Sequence, residues 1–166
     1  MNDKKLLLAQ YDSLYRWFIN SLVDFTDEET NHRLNENMNH VKYLAGHLTN
    51  AQYAYAGIAG VEVERQWDEL FAGLGKSSAR DNFSYPTIQE VKAEWEQINQ
   101  SVRDSLQALS EDALDKAMPG SPLAQSKVFD TTVGDFWAFM NMHQTYHIGQ
   151  IGILRRGFGK EPMTFR

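Results

Sequence analysis

Residues 132–157 read TVGDFWAFMNMHQTYHIGQIGILRRG, and this stretch decides the fold class of the 166-residue chain. Thr132 is a good helix cap, and Gly157 suits the residue that closes a helix. The stretch therefore predicts a helix of about 24 residues, some 36 Å long. Its inward stripe repeats at alternating spacings of three and four, the period of one helix face: Val133, Phe136, Met140, His143, His147, Gln150 and Leu154.

Three further segments have the same helical period, at residues 3–24, 40–59 and 88–109. The 28-residue connection at 60–87 is long for a loop, and its apolar residues predict a short extra helix. Thr26-x-x-Glu29 is a capping box, and Ser110-x-x-Ala113 resembles the start of one helical turn. No repeat and no strand-like alternation occurs. We therefore predict an all-α protein, with four long helices around one core in a single domain, 1–166.

Composition excludes several function classes. The net charge is −6, which argues against binding to nucleic acid or to an anionic membrane. The chain has no cysteine, so disulfides, thiolate metal sites and a cysteine nucleophile are ruled out. No apolar run reaches the length of a membrane span or of a signal peptide. We therefore expect a soluble, cytoplasmic protein whose partner is a small molecule.

Three histidines fall where apolar core residues are expected. His143 and His147 are four residues apart, which places them one turn apart and about 40° around the same helix face. In the second long helix His47 lies on the inward stripe, and the small residues Ala51 and Ala54 leave space near it. These positions predict that three imidazoles meet between two helices.

Three imidazoles suit a divalent metal ion. Zn²⁺ and similar ions bind neutral imidazole at about 2.0–2.1 Å, and three protein ligands leave a fourth position for water or substrate. Between His143 and His147 the sequence is Gln-Thr-Tyr, so the glutamate base of zinc proteases is missing. No histidine follows the Glu-x-x-His pattern of di-iron bundles. The alternative is a cluster of hydrogen-bonded core histidines that holds no metal.

Other polar residues lie near this predicted site. Gln150 and Asn50 each follow a histidine by about one turn and are candidate neighbours of the metal ligands. His40 and His32 are expected to cap a helix or face solvent. Several aromatic residues are expected to pack in the core, with an aromatic pocket near the metal as the alternative: Tyr11, Tyr15, Tyr53, Tyr55, Trp95, Trp137 and Tyr146.

Two sequence runs resemble a known family. They are Leu44-Ala-Gly-His47-Leu and His143-Gln-Thr-Tyr-His147-Ile-Gly-Gln150, the latter followed by Leu154-Arg-Arg. Together they resemble the DinB-like family of four-helix-bundle metalloproteins, and the similarity extends over nearly the whole chain. The resemblance implies that His47, His143 and His147 are the metal ligands. It also implies up-down-down-up connectivity and a homodimer.

The resemblance leaves the reaction open. Similar proteins include S-transferases that use low-molecular-weight thiols, a thiol-dependent isomerase and hydrolases. The expected function is therefore that of a metal-dependent enzyme, with Zn²⁺ or Ni²⁺ as cofactor and thiol transfer or hydrolysis as the reaction. The alternative is a noncatalytic bundle that binds a small molecule through its metal site or its aromatic pocket.

Overall fold

A computed structural model describes residues 2–71, 78–118 and 132–166 of the chain. Four of its helices are long and three are single turns, and the described residues contain no strand, only an isolated bridge between Ala117 and Thr132. The predicted all-α class is confirmed. In chain order the helices are α1 Asp3–Ser21, α2 Asp27–Thr30, α3 Val41–Ile58, α4 Asp68–Phe71, α5 Ile88–Ala108, α6 Glu111–Leu114 and α7 Val133–Gly157.

Side-chain caps fix where most of the helices begin. Thr26 and Thr132 each form a complete capping box, and a third box at Thr87 starts α5. His40 caps α3, because its Nδ1 accepts a hydrogen bond from the backbone of Tyr43 at 2.9 Å. At α6 the helical turn forms, although the Ser110 side chain makes no cap bond.

The first helix ends earlier than its apolar period suggests. We predicted a helix to residue 24, and α1 ends at Ser21. Asp24 has a φ of 62°, which lies in the left-handed region and cannot continue a right-handed helix. Carboxylate side chains tolerate this conformation better than most others do, so the turn toward α2 forms there.

The first and last helices run side by side in the same direction. The Asn141 amide donates to the carbonyl oxygen of Leu7 at 3.2 Å, near the start of both helices. At the other end, the Arg155 guanidinium donates to the carbonyl oxygen of Val23. The chain therefore closes its bundle by packing α7 along α1.

Helix α3 runs opposite to α7. Tyr55, near the end of α3, packs on Phe136 near the start of α7, with ring centroids 5.8 Å apart. Six residues after the start of α3, His47 meets His147, which lies in the second half of α7. The antiparallel register is what brings the second-helix histidine to the histidine pair of the last helix.

Helix α5 runs opposite to α1. Trp95 stacks on Phe18 with ring centroids 4.0 Å apart, and further along α5 the Arg103 guanidinium pairs with Asp12 at 2.7 Å. Moving forward along α5 therefore means moving backward along α1. The four long helices enclose the core between them.

The core divides into two apolar clusters. Polar side chains lie near the boundary between the two clusters. The three predicted metal ligands, on α3 and α7, are among them. On the four long helices the change occurs between Tyr11 and Leu14, between Leu48 and Tyr53, between Trp95 and Ile98, and between Met140 and Ile148.

The long connection after α3 contains the predicted short helix. α4 comprises Asp68–Phe71 and packs against α3. Phe71 is completely buried, and Trp67 packs against the same cluster. Among the described helices, none combines the length and the apolar character that crossing a membrane would require.

Candidate metal centre

His47, His143 and His147 form the histidine cluster, which lies between α3 and α7. One ring nitrogen from each residue lies within 4.8 Å of the others. The Nε2 atoms of His47 and His143 are 3.2 Å apart. Two nitrogens that bind one tetrahedral Zn²⁺ at 2.0–2.1 Å are about 3.3 Å apart, so this pair already has suitable spacing. All three histidines are half-buried.

Hydrogen bonds at Nδ1 fix how two of the rings present their other nitrogen. The Nδ1 of His147 lies 2.6 Å from Oε1 of Gln150, and the Nδ1 of His47 lies 3.3 Å from the backbone oxygen of Phe71. Both oxygens are carbonyl acceptors, so each Nδ1 must carry the proton. In a neutral ring Nε2 then has a free lone pair, which is the form that binds a metal ion.

The third ring has a hydroxyl as its partner. The Tyr55 oxygen lies 2.9 Å from Nδ1 of His143. A hydroxyl can donate or accept, so His143 has two hydrogen-bonded states. When its Nε2–H donates to His47, Tyr55 donates to its Nδ1. When its Nε2 binds an ion, its Nδ1–H donates to Tyr55 instead. Tyr55 therefore allows the ring to change tautomer without losing its partner.

Burial keeps the cluster uncharged. Burial, together with the neighbouring histidines of the cluster, lowers the pKa of His47 to about 4 and that of His143 to about 3. The pKa of His147 is lowered by burial as well, partly offset by its hydrogen bond to Gln150. Metal ligation requires neutral imidazole, so at neutral pH no proton has to be removed first.

The remaining candidates lie in different surroundings. Gln150 contacts His147 directly, and its amide nitrogen donates to the Tyr146 hydroxyl at 3.2 Å. Asn50 is buried, and it donates to the backbone oxygen of Gln66 at 2.6 Å and to Asp68 at 2.7 Å. It therefore contacts the connection after α3.

Two histidines lie outside the cluster. His40 caps α3 as predicted and is buried, and burial lowers its pKa to about 4. His32 is exposed and lies 3.8 Å from Glu28.

Aromatic rings surround the histidine cluster, although most of the predicted aromatic set is core. Tyr11, Trp95 and Trp137 are almost completely buried in the bundle. Tyr55 touches His143, and Tyr146 packs on His147 with ring centroids 4.9 Å apart. Several rings that pack around the cluster were not among our candidates: Tyr43, Phe71 and Phe139.

Sequence reasoning missed the partners of two cluster histidines. Phe71 contributes a backbone oxygen, which no side-chain pattern reveals. Tyr55 had a signal, because it lies eight residues after His47 and about 80° around the helix from it, within the width of one inward face. Its contact to His143 depends on how α3 packs on α7.

The comparison with protein families identifies the chain. The family model described as the DinB superfamily matches residues 10–151, which include α3 and α5 completely and the larger part of α1 and α7. The chain belongs to the DinB superfamily. Among curated proteins, none matches this DinB-superfamily member significantly.

A solved structure supports the fold. The crystal structure of a conserved protein from Enterococcus faecalis is similar, with a TM-score of 0.69 and 17% sequence identity. The similarity covers 96% of this chain and 99% of that protein. At this level of identity the likeness shows the shared fold alone.

Within the DinB-superfamily bundle, the chemistry of the site depends on its donors. Three neutral nitrogens with oriented lone pairs match the preference of borderline divalent ions, and the described residues add no carboxylate to this group. The donor set therefore fits a metal ion held by imidazole alone. Such a site keeps a position open for another ligand.

Proposed function

We propose that this DinB-superfamily protein is a metal-dependent enzyme in which His47, His143 and His147 hold a divalent ion, Zn²⁺ or Ni²⁺. The observation that carries the proposal is that one ring nitrogen from each histidine lies within 4.8 Å of the others, while each Nδ1 has a hydrogen-bond partner. Oxygens of Phe71 and Gln150 keep the proton on Nδ1 of their histidines, and the Tyr55 hydroxyl accepts from Nδ1 of His143 when the Nε2 of that ring binds the ion. A core cluster that served packing alone would also pair its buried nitrogens, but it would not need to bring three of them together.

The proposed reaction is thiol S-transfer or hydrolysis. When bound, a divalent ion supplies Lewis acidity, which lowers the pKa of a water or thiol held beside it. The residues of the chain orient the three imidazoles, and the rings are only half-buried. A low-molecular-weight thiol is the proposed cosubstrate of the transferase reaction.

A second function has a specific observation in its favour. The described residues place no aspartate or glutamate in the histidine cluster, so a general base is missing from this part of the chain. This supports a noncatalytic bundle that binds a small molecule through the metal ion. Turnover of thiols with electrophiles, or of hydrolysable esters and amides, distinguishes the enzyme from the binding protein.

The first test is elemental analysis of tag-free protein. We expect about one ion per chain in the wild type and none in His147→Ala. His32→Ala is the matched control, because His32 is exposed and lies outside the cluster, and it should keep the ion. A wild-type protein that takes up neither added Zn²⁺ nor added Ni²⁺ would contradict the proposal.

The proposal extends to the state of the protein in the cell. We propose a cytoplasmic homodimer, in keeping with the resemblance to DinB-like proteins. Sedimentation of the purified protein tests the dimer. A mass of one chain, 19.1 kDa, at every concentration would contradict it.

A further inference from the structure

The segment from Gln66 to Phe71, which we call the strap, lies against α3 beside His47. Its last residue, Phe71, is completely buried, and its ring packs on Tyr43 and Tyr85, with ring centroids 5.7 Å away in each case. The backbone oxygen of the same residue is the acceptor for His47 Nδ1 at 3.3 Å. The position of this ring therefore decides where the oxygen lies.

Gly46 lets the Phe71 ring come this close to α3. A Cβ atom at position 46 would lie 2.2 Å from Cζ of Phe71 and 2.6 Å from Cε1. Contacts below 3.0 Å do not occur for real Cβ atoms, so any side chain there would displace the ring. Glycine weakens the interior of a helix, and at this position it allows a close approach. Gly46, the residue immediately before His47, is therefore the position at which the strap packs on α3.

Asn50 holds the other end of the strap. Its amide nitrogen donates to the backbone oxygen of Gln66 at 2.6 Å and to the Asp68 carboxylate at 2.7 Å. Asn50 is only 3% exposed, so water competes little for these bonds. It follows His47 by three residues, which places it about one turn further along α3. Helix α3 therefore contacts the strap on both sides of His47, at Gly46 and at Asn50.

We propose that Asn50 and Gly46 are positioning residues of the metal centre, because together they hold the strap so that Phe71 fixes the tautomer of His47. This inference rests on the proposed three-histidine metal site. The oxygen of Phe71 keeps the proton on Nδ1 and leaves Nε2 for the ion. An ion at Nε2 in turn makes Nδ1–H a stronger donor. Metal binding and docking of the strap therefore stabilise each other.

Metal affinity is the first readout. We expect Asn50→Ala and Gly46→Ala to weaken Zn²⁺ binding about 10- to 100-fold, as loss of a partner that orients a ligand does. The chain offers a matched control for each. Gly57→Ala changes a glycine of the same helix that has no atom within 4 Å of an added Cβ. Asn20→Ala removes an amide that also donates to two backbone oxygens, those of Thr164 and Arg166, far from the histidines. Both controls should bind Zn²⁺ like the wild type.

The second readout is the tautomer of His47 in metal-free protein, from the ¹⁵N shifts of its ring. We expect Nδ1–H in the wild type and a mixture of tautomers in Asn50→Ala and Gly46→Ala, with His147 unchanged because its acceptor is Gln150. General destabilisation would not change one ring selectively. If Asn50→Ala does not fold, Asn50→Leu removes the donor with nearly the same shape.

The outcomes separate this inference from the proposed function. Wild-type metal binding together with wild-type affinity in Asn50→Ala and Gly46→Ala would overturn the positioning role and leave the metal site intact. Failure of the wild type to bind Zn²⁺ or Ni²⁺ would overturn the metal site. In that case the tautomer still decides the positioning role, because an Nε2–H tautomer of His47 in the wild type, or an unchanged ring in both variants, contradicts it.

Discussion

The bundle core holds two groups of polar side chains that differ in how they are hydrogen bonded. The histidine cluster has an acceptor or hydroxyl at every Nδ1. The second group, which we call the amide layer, consists of Gln52, Asn99 and Gln144, and all three are nearly inaccessible to solvent. Within the described part of the chain, four of their side-chain atoms have no protein partner: Gln52 Nε2, Asn99 Nδ2, and Nε2 and Oε1 of Gln144.

This difference indicates what each group does for the protein. Leaving a buried polar atom unpaired costs about 1–3 kcal/mol, so the amide layer lowers stability unless ordered water pairs it. The histidine cluster pairs one nitrogen of each ring and directs the other to a common point. The cluster therefore brings three ring nitrogens together, as a ligand site requires, and the amide layer does not. The following predictions test that distinction, beginning with the largest effect.

Removal of one cluster histidine should abolish high-affinity metal binding. We expect His143→Ala to weaken Zn²⁺ binding on the order of 100-fold or more, since loss of a ligand exceeds the 10- to 100-fold effect of losing an outer partner. Titration of Zn²⁺ against a competing chelator measures it. Gln144→Ala, the neighbouring substitution in the amide layer, should bind Zn²⁺ normally. Equal losses of Zn²⁺ affinity in the two variants would contradict the distinction between the histidine cluster and the amide layer.

The metal-free protein should lose stability as the pH falls. The folded-state pKa values of His47 and His143 lie near 4 and 3, below the usual 6.5, so the unfolded chain binds more protons. The contribution of these two histidines to the free energy of unfolding is complete above pH 6.5. It is lost as the pH falls toward 3–4, and the loss is on the order of a few kcal/mol.

Denaturant unfolding at pH 7 and pH 5 measures this loss, in a range above the ordinary pKa of the carboxylates. His40 contributes in the same sense, because burial lowers its pKa to about 4. His143→Leu should therefore reduce the pH dependence without removing it. If the stability of His143→Leu depends on pH just as that of the wild type does, the histidine cluster is not the source of the pH dependence.

Loss of the Tyr55 hydroxyl should weaken the metal site without removing a ligand. In Tyr55→Phe the Nδ1–H of a metal-binding His143 has no acceptor, so Zn²⁺ affinity should fall about 10- to 100-fold. Tyr53→Phe is the matched control, because its hydroxyl bonds to Glu94 and lies in the same helix. If both variants bind equally well, Tyr55 serves packing alone.

Removal of an unpaired amide should cost little or stabilise the fold. We expect Gln144→Leu to raise the free energy of unfolding by about 1 kcal/mol, because two buried atoms without protein partners are replaced by an apolar group of similar size.

Gln52→Leu should instead lower the free energy of unfolding. It breaks the 2.8 Å bond from the Tyr11 hydroxyl, which then keeps only its longer contact of 3.4 Å to the backbone oxygen of Asn99. Chemical denaturation of both variants tests the pair. If Gln144→Leu strongly lowers the free energy of unfolding, the Gln144 side chain is paired through ordered water. It is then fully hydrogen bonded, as the cluster histidines are.

The sequence predicted most of the architecture because apolar period and caps are local signals. Thr132 with Asp135 defines the start of the last helix, and the stripe through Met140 and His143 defines its inner face. The end of α1 was predicted three residues too late, because Asp24 takes a left-handed conformation that the apolar period does not reveal.

The three histidines were predictable, and their surroundings were only partly so. Gln150 is one turn from His147 on the same helix, so its contact follows from spacing. The contacts of Phe71 and Tyr55 depend on how the strap and α7 pack against α3. Asn50 was expected to lie next to the metal ligands, and it bonds to the strap because that segment folds back along α3.

The distribution of the ligands over the chain also has a consequence for biosynthesis. His47 and His143 are 96 residues apart, and the helix that carries His143 also packs along the first one. At 5–20 residues per second, a ribosome adds the second histidine about 5–20 s after the first. During this interval the nascent chain lacks two of the three imidazoles and the helix that closes the bundle. If the proposed function holds, acquisition of the ion is therefore one of the last events in the making of this protein.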